Sequence, residues 1–149
     1  METIQIKPAV LFAFFKIVPF LLAAFGFLGL AWHYWPGLVW LAVSSAIFAV
    51  YRYLYIRKIT YIIATEYLQI SRGLFFRRID TIELFRVKDY ILEQPLLLQI
   101  LRLMDLQLFT TDPVNTVIWL RGIPRSDLVE TLRERVLATR RYNRIYELN

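Results

Sequence analysis

The stretch AVLFAFFKIVPFLLAAFGFLGLAW, residues 9–32, decides the architecture of this chain. It carries a single charge, Lys16. A helix of this length rises about 1.5 Å per residue and covers roughly 36 Å, enough to cross a hydrocarbon core of about 30 Å with some tilt. Lys16 sits near one end, where its stem can lie in hydrocarbon while the ammonium reaches the headgroups. Pro19 falls inside, and membrane helices tolerate the hydrogen bond it removes. A second uncharged stretch runs from Pro36 to Tyr51, and Tyr53, Leu54, Tyr55 and Ile56 extend it to an interface. Between the two, Trp32-His33-Tyr34-Trp35-Pro36-Gly37 cannot stay helical through Pro-Gly, and its rings, with Trp40, suit a headgroup boundary. The expected N-terminal unit is a transmembrane helical hairpin over residues 1–58.

Composition draws the same boundary. The chain is 58% hydrophobic, above the roughly half expected of a soluble domain, and the excess lies before Arg52. A cleaved signal peptide fits poorly, because the apolar run is too long, Glu2 precedes it and no clear cleavage site follows. Two buried helices of a soluble protein fit no better, since both are apolar on every face and the rest of the chain is too short to cover them. His33 has no His, Asp or Glu near it in sequence and reads as an interfacial side chain. Lys7, Lys16, Arg52, Arg57 and Lys58 flank the spans while the turn carries no Lys or Arg. Positive charge stays inside, so the expected location is the inner (plasma) membrane, multi-pass, with both termini cytoplasmic. Ala42, Ser45, Ala46 and Ala49 form a small-residue stripe at i, i+3, i+4, i+7. Close approach through such residues holds membrane helices together, and Ala23, Gly26 and Gly29 are the expected complementary surface.

After Lys58 the period changes to two, the mark of half-buried strands. Ile59 to Thr65, Tyr67 to Arg72, Leu74 to Arg78, Thr81 to Val87, Tyr90 to Glu93, Asp105 to Thr111 and Thr116 to Arg121 read as seven strands. Gly73 turns the chain after the second, and Asp112-Pro113-Val114-Asn115 is a turn by composition. Leu96 to Leu103, after Pro95, reads as a short helical piece or as an irregular loop. A final helix follows Pro124, opened by Asp127 and Glu130 in capping-box spacing, with Leu128, Leu132 and Val136 on one face and Val129 beside them. Seven short antiparallel strands followed by one amphipathic helix is the order of a pleckstrin-homology-like barrel.

Several of these segments resemble the bacterial pleckstrin-homology (PH) domain family, formerly described as a domain of unknown function, in its membrane-anchored form. Tyr61 to Ile70 looks like its opening hairpin, and Arg72-Gly73-Leu74-Phe75-Phe76-Arg77-Arg78 like its Arg-Gly turn and basic strand. Ile82-Glu83-Leu84-Phe85-Arg86-Val87-Lys88-Asp89-Tyr90, followed by Glu93-Gln94-Pro95, is similar to its central motif. Leu120-Arg121-Gly122-Ile123-Pro124 and the basic tail from Arg140-Arg141 to Glu147 also fit. Family members often carry a Gly pair near Leu103-Met104-Asp105, and this chain has none there. The resemblance implies an α+β membrane protein: the transmembrane hairpin, then a PH-like seven-stranded antiparallel barrel over residues 59–149, capped by the C-terminal helix. It implies no activity, because such domains are mostly binding or assembly modules.

The chemistry carried by the residues agrees. With no Cys and one His, at the turn, Ser–His and Cys–His arrangements, disulfides and zinc–thiolate sites are excluded. No Gly-rich phosphate loop is present, and Asp105 and Asp112 lack metal-ligand spacing. The expectation is no enzyme, no cofactor and no metal. The net charge of +6 beside membrane spans points to anionic headgroups, and without an aromatic platform nucleic acid is not expected. Candidate lipid- or partner-binding residues are Arg72, Arg77 and Arg78 around the first hairpin, Arg86 and Lys88 in the central motif, and Arg140 and Arg141 with Arg144 in the tail. Arginine suits phosphate, but each group also suits a solvated surface, where edge charges discourage aggregation.

The reading is a non-enzymatic membrane-anchored module that binds or organises proteins or lipids at the cytoplasmic membrane face. Its partners are the bilayer, anionic lipid, and other membrane proteins or a second copy of itself. An anionic headgroup sensor, and a structural subunit of a larger membrane assembly serving envelope stress or transport, stand as alternatives.

Overall fold

The structure, a computed structural model, describes residues 3–142. Arg140 and Arg141 fall within it, whereas Arg144 and Glu147 lie outside the described residues. Two long helices, α1 (Val10–His33) and α2 (Val39–Lys58), form an antiparallel hairpin closed by a 3-10 turn at Pro36–Leu38. Both are long and apolar enough to cross a membrane. Their outer faces expose Leu22, Phe25, Ile47 and Val50. Pro19 does not interrupt α1. The small-residue stripe lies inside the hairpin: Ala42 and Ala49 are buried, and the Ser45 hydroxyl donates to the Phe20 carbonyl at 2.8 Å. The expected glycine partner is corrected, because a Cβ on Gly26 or Gly29 would meet nothing, so neither glycine faces α2. Contact comes instead through Phe20, whose ring meets Phe48 edge-on at 4.9 Å.

Seven strands are present, but one of them is not among those expected. β1 (Ile4–Ile6) precedes the hairpin and pairs antiparallel with β2 (Thr60–Ile63), Ile4 opposite Ile63 and Ile6 opposite Tyr61. The helical hairpin is therefore inserted between two neighbouring strands, and a division at Lys58 leaves β1 on the far side from its own sheet. β3 (Tyr67–Arg72) and β4 (Arg78–Glu83) complete a sheet of order β1-β2-β3-β4. Leu74 to Arg78 is not a strand. Gly73 takes φ +114°, Arg72 already faces Arg78 across the ladder, and the five residues between them form the connecting loop. A 3-10 turn at Leu84–Arg86 leads to β5 (Val87–Glu93), which pairs with β6 (Leu103–Thr110) and then β7 (Val117–Pro124) in a second sheet. The strands thus divide into sheets of four and three rather than one continuous hydrogen-bonded barrel. After Pro95 the chain is helical, α3 (Leu96–Ile100).

The alternation seen in sequence puts Leu68, Ile70, Ile82, Leu106, Leu108, Ile118 and Leu120 into one core shared by both sheets. Helix α4 (Leu128–Tyr142) closes it with Leu128 and Leu132. Its inward face also carries Arg135 and Thr139, both buried. Arg135 Nη1 donates to the Ile63 and Ala64 carbonyls at 2.7 and 3.1 Å, and Thr139 Oγ1 to the Thr65 carbonyl at 3.1 Å. These bonds tie α4 to three successive carbonyls at the end of β2 and just beyond it.

A second, smaller apolar cluster joins hairpin and sheets: Phe12, Ala13 and Ile56 from the helix bases with Leu98 and Leu103. Gly122 is its tightest point. The residue has φ +63°, its carbonyl accepts from the Ala9 amide at 2.8 Å, and a Cβ there would lie 2.2 Å from the Phe12 ring.

Candidate functional site

The strand and helix periods bring basic and aromatic side chains together where the hairpin meets the sheets. In β7, Ile118 and Leu120 point into the core, so Trp119 and Arg121 point out of it. Phe12 and Lys16 of α1, with Pro8 just before the helix, recur every four residues; Arg52, Tyr55 and Ile56 of α2, with Ile59 just after it, fall at i, i+3, i+4 and i+7. With Tyr61 of β2 and Arg72 of β3, these residues line one cavity of about 340 Å³.

Four cations and no carboxylate line it. Arg72 is neutralised by Asp80, Nη2 to Oδ2 at 3.0 Å. Among the described residues, Lys16, Arg52 and Arg121 form no ion pair. Lys16 Nζ stands 5.4 Å from the Phe12 ring centre and the Arg121 guanidinium 4.9 Å from that of Trp119. Aromatic faces attract cations without cancelling their charge. Arg52 Nε is buried and has no hydrogen-bond partner among the described residues. The Tyr61 hydroxyl accepts from the Arg121 amide at 3.1 Å, and burial raises its pKa above the ordinary value of 10.0. The carboxylate of Asp105, close by, is engaged by the Gly122 amide at 2.6 Å. Such an arrangement can hold an anion. Among the described residues no three His, Asp or Glu side chains gather where a metal ion could sit.

The residues singled out from the sequence do not form one site. Arg72 and Arg78 grip the buried Asp80, Arg78 Nε to Oδ1 at 2.8 Å, while Arg77 Nε donates to Ser71 Oγ at 2.8 Å. Arg86 lies beyond the other end of β4, held by Glu83 at 2.9 Å and Asp112 at 3.4 Å. Six-residue strands separate these two groups by roughly 17 Å. Lys88 is exposed beside a bulge in β5, and Asp89 bonds the Tyr90 amide rather than Lys88. Arg140, expected in the basic tail, reaches back to the Val87 carbonyl. Arg141 is exposed at the end of α4. Of all these, Arg72 alone reaches the cavity. Sequence reasoning treated Lys16 and Arg52 as flanking charges and passed over Arg121. Its signal was the period-two position beside Trp119, opposite the core face.

The bacterial PH domain family matches residues 10–140, across the hairpin, strands β2 to β7 and nearly all of α4. Neither the curated proteins nor the solved structures give a match. A match over most of the chain, on a structure with two antiparallel sheets and a closing C-terminal helix, makes this protein a member of the bacterial PH domain family.

Proposed function

We propose that this chain is a non-enzymatic, membrane-anchored PH-like module that holds a binding surface against the cytoplasmic face of the inner membrane, where it organises lipids or other membrane proteins. The observation that carries this reading is the seam. β1 enters α1 through Lys7, Pro8 and Ala9, α2 enters β2 through Ile59, and β1 and β2 are neighbours in one sheet. A domain hung from one flexible linker swings; one whose sheet is threaded by both helices keeps a fixed face toward the bilayer. Apolar surface on the scale exposed by the hairpin calls for a partner in water, and lipid supplies it. Lys16 and Arg52 each lie six residues from the sheet-side helix ends, and neither helix carries an Asp, Glu, Lys or Arg beyond them. That charge-free part of α1 covers about 25 Å, close to the hydrocarbon thickness.

Alkaline extraction of native membranes tests the anchoring, with a reporter fused at Asn149 reading the side. The chain is expected to stay with the membrane and the reporter to read cytoplasmic, as the distribution of positive charge requires. Release into the alkaline wash, or a reporter on the far side, overturns the reading.

A further inference from the structure

We propose that the cavity between the hairpin bases and the sheets is a phosphate-binding site, filled by the headgroup of an anionic lipid from the adjoining leaflet and held by Lys16, Arg52 and Arg121. The inference rests on the membrane-anchored reading above and adds its ligand.

Charge comes first. Three cations meet in one cavity with no ion pair among the described residues; Asp80 is shared by two arginines, and Asp105, which accepts from the Gly122 amide, lines a neighbouring pocket with Lys16 rather than this one. Like charges that outnumber the carboxylates around them repel, and a bound anion reduces that cost. Arg52 Nε adds a second sign: it is a buried donor with no hydrogen-bond partner among the described residues, and such a group costs free energy until an acceptor reaches it. Height comes second. Lys16 and Arg52 are the last such charges on α1 and α2 before the uncharged segments, which sets the cavity where lipid phosphates lie. Shape comes third. At about 340 Å³ the cavity accommodates a phosphate with a small polar headgroup. Phe12, Tyr55, Ile56 and Trp119 give the walls an apolar side suited to the glycerol and first methylenes.

The test uses the full chain in detergent, offered equal amounts of phosphatidylglycerol and phosphatidylcholine and weighed intact by native mass spectrometry. Phosphatidylglycerol should be retained over phosphatidylcholine by about tenfold, the effect of one good charge-assisted contact. Arg52→Gln and Arg121→Gln should each remove most of that preference. Arg52→Lys, which keeps the charge, should retain part of it, and Arg133→Gln, on the exposed side of α4, should leave it unchanged. Thermal melting of every variant separates lost binding from lost folding; if the Gln variants do not fold, the wild-type preference and the Arg52→Lys variant carry the decision. Equal retention of the two lipids overturns the site. Stabilisation by inorganic phosphate without any lipid preference overturns the lipid as its source. Either failure in a chain that still resists alkaline extraction leaves the anchored-module reading intact.

Discussion

Gly122 and Arg102 show how single residues set the join between helices and sheets. Gly122 needs both its positive φ and its missing side chain, since Phe12 occupies the space a Cβ would take. Gly122→Ala is expected to destabilise the chain by about 2–3 kcal/mol, left-handed strain and overpacking together. Calorimetry in detergent checks this, and Phe12→Ala in the same background should relieve the steric part of the loss. Arg102 is the one non-glycine with positive φ among the described residues, at 55°, and it sits just before the Leu103-Met104-Asp105 segment. Arg102→Gly should raise stability by about 0.5–1 kcal/mol, because glycine adopts this conformation without the Cβ penalty. Asp80 shows what residue patterns conceal. The basic run around Gly73 was visible in sequence, but two of its arginines are bound to the buried carboxylate of Asp80. Removing both together would leave Asp80 buried and unpaired, so their loss would be felt as instability whatever they bind.

At the scale of elements, legibility followed the length of the pattern. The helices of the hairpin, the alternation in β6 and the apolar face of α4 each repeat enough times to be read locally. β1 has three residues, and what makes it a strand is pairing with Thr60–Ile63 on the far side of the hairpin. Nothing local announces that. Leu74 to Arg78 failed in the opposite way: its aromatic content suits a strand, yet Phe75 and Phe76 are 80% and 93% exposed in a loop, with Phe75 stacked on Tyr51 of α2. Arg135 and Thr139 share the inward face with Leu128 and Leu132, so helical period alone could have placed them there; their polarity argued against it. Arg135→Ala should cost about 2–4 kcal/mol, since two buried carbonyls lose their donor, read as a fall in melting temperature. On α2, Ala49 is 1% exposed against α1. Ala49→Phe should lower the melting temperature while the oligomeric mass stays constant, as expected of a stripe buried within one hairpin. A fall in mass with the fold intact would assign the stripe to contacts between copies.

For the molecule as a whole, the candidate cavity was the part least open to sequence reasoning. Its cations come from positions 16, 52, 72 and 121, on four elements, and only the threaded topology brings them together. That topology also governs how the protein is made. The first strand is synthesised before either helix and its partner only after both, so the two cannot pair until the whole hairpin has been made. If the hairpin spans the bilayer as proposed, a chain that inserted one helix alone would leave Ile4–Ile6 and Thr60–Ile63 on opposite sides of it, and β1 could not join its sheet. In a membrane-spanning hairpin, pairing of Ile4–Ile6 with Thr60–Ile63 is thus possible only where both strands lie on the same side.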